Sequence, residues 1–181
     1  MHSDGSSLFL LKDVILKAGI FKDREISRDS LQKVQKESRV LEAERRALNL
    51  LSRSMHSHAG LRLKLLSRGF QEEAVNAALI RVKELGYIDD AKYAEAWVSE
   101  RIERNPEGRL LMLSKLIKKG ISRALAESTI ERLYSREREI KGASKVLAKI
   151  TQGKELNREE LFSKLYRKGF SYDIIRSVLE G

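Results

Sequence analysis

The sequence contains no cysteine, and this absence excludes disulfide bonds, thiolate zinc sites and cysteine nucleophiles. It also fits a reducing compartment. Proline occurs once, as Pro106, and aromatic residues make up only 6% of the chain. Because proline breaks helices and 34% of the residues are charged, this composition favours long helices joined by short turns.

Long apolar runs are absent as well. No segment reaches the roughly 18 consecutive apolar residues that a membrane-spanning helix requires. The first five residues are not a basic region followed by an apolar one, so no secretory signal is expected. We therefore predict a cytoplasmic protein with no membrane partner.

The motifs of common enzyme and metal sites are missing too. The sequence has no His-Glu-x-x-His, no Walker loop and no Gly-rich dinucleotide turn. His56 and His58 lie two residues apart, so on a helix they face different sides. The acidic pairs Asp89-Asp90 and Glu159-Glu160 lie at predicted helix starts, where negative charge is favourable. We predict that the chain is not an enzyme and has no catalytic residue, cofactor or metal ligand.

One seven-residue pattern occurs three times, as KLLSRGF from Lys64, KLIKKGI from Lys115 and KLYRKGF from Lys164. The glycine is expected to end a helix in the left-handed conformation. The apolar residue after it should contact the leucine near the end of that helix and staple the next helix. The predicted contacts are Phe70 with Leu65 and Val75, Ile121 with Leu116 and Ala126, and Phe170 with Leu165 and Ile175.

A third helix is needed to fill each period of about 50 residues. Apolar residues recur at helical spacing in Val40–Ser52, after Asp89-Asp90 and from Ile140 to Ile150. The sequence therefore predicts an all-α fold, an elongated, curved solenoid of three tandem three-helix repeats with about nine helices. The predicted repeats cover residues 39–88, 89–135 and 136–181, and we predict a monomer.

Residues 1–38 form a small N-terminal extension outside these repeats. Ser7–Leu11 is a short apolar run that suits a strand, and Lys12–Ala18 is predicted to be a short helix ending near Gly19. Asp29 is placed to cap a further helix through Leu31 and Val34.

Positive charge is in excess and is unevenly distributed. Lys and Arg number 36 against 26 Asp and Glu, and residues 101–181 carry 19 of the basic and 11 of the acidic side chains. A field of one sign indicates a polyanionic surface or an acidic partner, although basic residues beside the glycines also suit helix C-termini. The predicted contact residues are Arg101, Arg104, Arg109, Lys115, Lys118, Lys119, Lys164, Arg167 and Lys168.

The run LGYIDD at residues 85–90, followed by Tyr93, Trp97 and Arg101 and combined with the three glycine turns, resembles the RecX family of regulatory proteins. The resemblance covers about residues 43–181 and implies nine helices in three repeats. It also implies binding to the RecA recombinase filament and to single- and double-stranded DNA. It further implies modulation, most often inhibition, of recombinase and ATPase activity in DNA repair, recombination and the SOS response.

One position departs from the family pattern. Similar proteins usually carry an acid where this chain has Gly60, which would complete a capping box with Ser57. Glycine is expected to weaken this helix start.

Two alternative interpretations stay open. A helix-turn-helix DNA-binding protein without a RecA partner fits the helix, glycine turn and helix with basic flanks. An adaptor that binds an acidic protein and no nucleic acid fits the charge alone. Three near-equal units favour a scaffold over a single recognition helix, so we prefer the RecA-binding interpretation.

Overall fold

The computed structural model describes residues 12–17, 19, 26–152 and 155–180. These ranges contain ten α-helices and no strand, which confirms the all-α class and the three-helix organisation. Nine of these helices belong to the three triplets, and the additional one is the short α1 of the N-terminal extension. The strand predicted for Ser7–Leu11 lies outside the described residues. The helices are α1 (Lys12–Lys17), α2 (Arg28–Leu51), α3 (His58–Leu66), α4 (Glu72–Glu84), α5 (Asp90–Arg104), α6 (Arg109–Lys118), α7 (Arg123–Leu133), α8 (Arg136–Thr151), α9 (Arg158–Arg167) and α10 (Tyr172–Leu179).

Helix α2 is longer than the sequence predicted. A helix from Asp29 and a second over Val40–Ser52 were expected, whereas the structure has one helix of 24 residues. The predicted break was wrong because the buried stripe continues across it, through Val34, Ser38 and Val40. Position 39 therefore lies inside a helix, and the limits 39–88, 89–135 and 136–181 remain our proposed repeat boundaries.

The chain forms two compact units, one within residues 1–88 and one within residues 89–181. In the first unit, α2 packs along α4, and α3 packs against both. The core of this unit lies between these helices and includes Ala47, Leu61, Leu65, Val75 and Leu79. None of the helices described in either unit is long and apolar enough to cross a membrane.

The second unit contains two helical triplets. Helices α5 to α7 enclose Ala94, Trp97 and Leu116. Helices α8 to α10 enclose a separate cluster that includes Leu165 and Phe170. Each triplet thus has its own core.

The three glycine turns have the predicted geometry. Gly69, Gly120 and Gly169 have φ angles of +86°, +82° and +84°. The N–H of the following apolar residue donates to the carbonyl of the predicted leucine in each turn, at distances of 3.4, 3.1 and 3.4 Å. Each apolar residue also packs in one cluster with its leucine and its staple partner. One side chain therefore joins two helices in all three turns.

The N-terminal caps of the helices follow the expectation from residue type only in part. A capping box is present at Asn157 and Glu160, and Ser122 accepts from the Leu125 N–H. Ser171 is the N-cap of α10, but its side chain forms no capping hydrogen bond. Ser57 still accepts from the Gly60 N–H at 3.0 Å, so the cap forms without the acid of the family pattern.

Candidate functional site

Two of the nine predicted contact residues hold a buried acid in the loop between α5 and α6. The Glu107 carboxylate is 3% exposed, and its two oxygens accept from the Lys115 Nζ at 2.6 and 2.7 Å. Arg101 Nη1 lies 3.8 Å from the same carboxylate, and its guanidinium lies 5.2 Å from the Trp97 ring centroid. Because a buried carboxylate is costly unless it is paired, Arg101 and Lys115 stabilise this loop.

A third predicted residue, Arg109, pairs with a buried acid on α8. Glu139 is 4% exposed; its carboxylate accepts from the Arg109 backbone N–H at 3.0 Å and lies 3.0 Å from the Arg109 Nε. Arg109 Nη2 also donates to the Tyr134 carbonyl. Burial raises the pKa of Glu139 above its ordinary value, although the N–H bond and the guanidinium of Arg109 both act to lower it. This acid therefore connects the two triplets of the second unit.

The other six predicted residues are divided between the two triplets. Arg104 is 79% exposed and lies 3.7 Å from Glu100 on its own helix. Lys118 is exposed and Lys119 is half-buried at the end of α6. The remaining three are brought together on α9, where Lys164 and Lys168 are half-buried and Arg167 is exposed.

A groove of about 460 Å³ runs beside these three cations. It continues over a further space of about 360 Å³ that Ile150 and Arg167 help to line. The described residues that line the main part of the groove include no acid: they are Asn105, Val146, Lys149, Ile150, Gln152, Lys164 and Lys168. Apolar and cationic side chains thus line the groove together, and we call it the α8–α9 groove.

Helix α8 carries a row of cations that the sequence analysis missed. Arg138, Lys141, Lys145 and Lys149 are all exposed, and their spacing of three, four and four residues places them on one helix face. Over the described parts of the chain, none of the four forms an ion pair with an acid. The spacing of the row is visible in the sequence, but the row lies away from the glycine turns beside which cations were predicted to bind.

This row borders a second, smaller groove of about 220 Å³ between α5 and α8. Arg138, Lys141 and Lys145 line it together with Ser99, Ile102, Glu103 and Gly142. Lys149 continues the row into the α8–α9 groove. The cations of both helices form one set, which we call the α8–α9 basic surface: Arg138, Lys141, Lys145, Lys149, Lys164, Arg167 and Lys168.

The chemistry of this surface is that of anion binding. Ammonium and guanidinium groups donate to phosphate or carboxylate oxygens, and their summed field attracts a polyanion. The row on α8 extends over roughly 16 Å, at 1.5 Å per helical residue. In the ranges that the structure describes, no three His, Asp or Glu side chains are grouped to hold a metal ion.

The chain is similar to proteins of one family. Family models for the first and second three-helix domains of RecX match residues 43–81 and 89–130. Regulatory protein RecX of Clostridium perfringens is 30% identical over 174 residues, which cover 92% of this chain and 81% of that protein. Regulatory protein RecX of Treponema pallidum is 32% identical over 141 residues, which cover 78% of this chain and 85% of that protein.

Solved structures give the same assignment at the level of the fold. A crystal structure of regulatory protein RecX matches with a TM-score of 0.80 at 22% identity and covers 98% of this chain and 90% of that one. The crystal structure of RecX from Lactobacillus salivarius matches with a TM-score of 0.68 at 24% identity, over 78% and 95% of the two chains.

Proposed function

Because the chain belongs to the RecX family of regulatory proteins, we propose that it binds the filament that RecA recombinase forms on DNA and lowers its recombinase and ATPase activities. The observation that carries this proposal is the family membership, which extends over both compact units. The family is one of regulatory proteins and not of enzymes, as the sequence predicted.

The α8–α9 basic surface supports a partner that contains DNA. Seven cations of two neighbouring helices face solvent or a groove with few acids around them. Phosphate contacts of this kind carry no sequence information, so binding to single- and double-stranded DNA would be independent of sequence and sensitive to salt. Several weak contacts on a repeating filament add to a high apparent affinity without any single strong contact.

The test is RecA-dependent ATP hydrolysis on single-stranded DNA with increasing amounts of this protein. We expect the rate to fall at or below one protein molecule per RecA protomer. A control with DNA and ATP but no RecA measures any hydrolysis that RecA does not catalyse. An unchanged rate at stoichiometric amounts would contradict the proposal.

Binding to DNA without RecA separates the alternatives. A footprint on one defined duplex sequence, together with an unchanged RecA rate, would favour a helix-turn-helix DNA-binding protein. Binding that ignores sequence and weakens steeply with salt agrees with the RecA-filament proposal.

We further propose that the protein acts as a monomer in the cytoplasm, where a DNA-bound partner is accessible. Light scattering after size exclusion should give the mass of one 20.7 kDa chain. A mass of two chains at micromolar concentration would contradict the monomer.

A further inference from the structure

The first turn of α6 donates its backbone N–H groups to two other helices. The first N–H groups of a helix have no partner within the helix, and the Gly108 N-cap supplies no side-chain acceptor. The Gly108 N–H donates to the Lys168 carbonyl at 2.8 Å, and the Leu110 N–H donates to the Gly169 carbonyl at 3.3 Å. Between them, the Arg109 N–H donates to the Glu139 carboxylate at 3.0 Å. Of three successive amides, the outer two therefore donate to the turn that follows α9 and the middle one donates to α8.

The charges at this contact are complementary. The N-terminus of α6 carries partial positive charge, and the Lys168 carbonyl belongs to the C-cap of α9, where a helix carries partial negative charge. The Glu139 carboxylate accepts at the same end of α6, where negative charge is favourable. Gly108, Gly169 and Glu139 are all buried, so these groups depend on one another for hydrogen bonds.

The backbones approach so closely that neither glycine has room for a side chain. A Cβ on Gly108 would lie 1.9 Å from the Gly169 carbonyl oxygen, and a Cβ on Gly169 would lie 2.3 Å from the Leu111 Cβ. A Cβ on Gly69, in the corresponding turn of the first repeat, would meet nothing within 4 Å. The third glycine turn thus has a contact that the first one lacks.

We propose that Gly108–Leu110 forms a joint that fixes α8 against α9 and so positions the cations of both helices as a single binding surface. Gly108 and Glu139 are its positioning residues. The inference rests on the proposed function, because this surface is the one through which the protein is proposed to meet DNA.

The contacts of the joint lie next to the cations that it positions. Glu139 follows Arg138, the first cation of the row on α8. The carbonyl of Lys168 belongs to a residue whose side chain lines the α8–α9 groove. A shift of the first turn of α6 would therefore act on both of the helices that carry the cations.

The salt dependence of DNA binding tests this inference, because it reports how many phosphates are neutralised. The measurement is fluorescence anisotropy of a labelled 20-nucleotide oligothymidine with the full chain over a range of salt concentrations. For single strands, the slope of log K against log salt has a magnitude of about 0.7 per neutralised phosphate. If Gly108→Ala uncouples the three cations of α9, the magnitude of the slope should fall by about 2. A variant that is only less stable would lose active protein but keep the wild-type slope.

A second variant keeps the test valid if Gly108→Ala does not fold, as circular dichroism would reveal. Glu139→Ala removes the acceptor of the Arg109 N–H and leaves a residue that suits a helix. It also adds one unit of positive net charge, which alone would strengthen DNA binding, yet we expect its slope to fall. Glu137→Ala is the matched control, since it makes the same charge change at an exposed position of α8. Gly60→Ala controls for replacing a glycine in the first unit.

Wild-type slopes in both Gly108→Ala and Glu139→Ala would overturn the inference, and so would a wild-type protein that does not bind the oligothymidine. If Gly108→Ala is unfolded, the slope of Glu139→Ala decides alone. The RecA assay decides the proposed function separately, because a protein that binds DNA with the expected slopes but leaves RecA unaffected would refute only that function.

Discussion

Glu139 carries its charge in surroundings that exclude nearly all water. The side chain is 4% exposed, and its partners at the joint come from one residue, Arg109. The pKa of Glu139 is raised because burial destabilises the charged carboxylate more than the hydrogen bonds and charge of Arg109 stabilise it. Burial therefore holds the pKa of this carboxyl above its ordinary value even with Arg109 beside it.

Replacing Glu139 with glutamine is expected to change how the stability of the protein depends on pH. The folded state binds the Glu139 proton more tightly than the unfolded state, because the folded pKa lies above the ordinary value of 4.5. The stabilisation from this proton is complete below the unfolded pKa and is lost as the pH rises through the folded pKa. In urea unfolding, wild type should therefore lose stability relative to Glu139→Gln as the pH rises from the pKa of free glutamate through the raised folded pKa. A difference that stays constant over this range would contradict the prediction.

The ion-pair partners of individual charged residues could not be predicted from the sequence. Arg101, Arg109 and Lys115 look like surface cations in the chain, and the structure pairs them with Glu107 and Glu139. Glu139 lies 30 residues after Arg109, and no local pattern connects the two. The row on α8 is different, because its helical spacing was visible and only its exposure required the structure.

The glycine turns were predictable at the scale of elements because every group that defines them lies within about ten residues. A left-handed glycine, the leucine before it and the staple residue after it are all local features. The long helix α2 was divided wrongly because its polar residues between Asp29 and Val40 hid a buried stripe that packs against α4. Packing partners, and not local sequence, decided that element.

The first and third turns should tolerate alanine differently. Gly69→Ala places a Cβ in open space, so its cost is that of a left-handed alanine, about 1 kcal/mol. Gly169→Ala adds a clash with Leu111, and overpacking of this kind costs a further 1–3 kcal/mol, approximately. Urea unfolding of the two variants measures both losses. Equal losses would show that the contact between Gly169 and α6 contributes no stability.

At the scale of the whole molecule, the net charge of +10 matters through its placement. Seven of the basic residues lie on the α8–α9 basic surface, while many others are paired within their own unit. The charge distribution alone indicated a polyanionic surface or an acidic protein as the partner of the second half of the chain. Which helices form the surface became clear only from the structure.

Reversing the charge of two lysines on α8 should weaken both the binding of DNA and the effect of the protein on RecA. The double change Lys141→Glu and Lys145→Glu is expected to lower oligothymidine affinity by about tenfold or more at low salt and to reduce the effect on RecA ATP hydrolysis. The matched control is Arg28→Glu with Lys33→Glu, which changes the net charge equally at exposed positions of α2. Equal losses in the two double variants would show that total charge matters and that the α8 row does not.

The contact between α6 and α9 also has a consequence for the order of folding. Gly108 and Lys168 are about 60 residues apart in the chain, and their hydrogen bond requires the ends of two helices from different triplets. Contacts of such sequence separation carry a high loop-closure entropy, whereas the glycine turns close within a few residues. The triplets should therefore assemble first and the joint should close last, with φ-values near zero at Gly108. A chain emerging from the ribosome would complete its binding surface only after α9 has been synthesised.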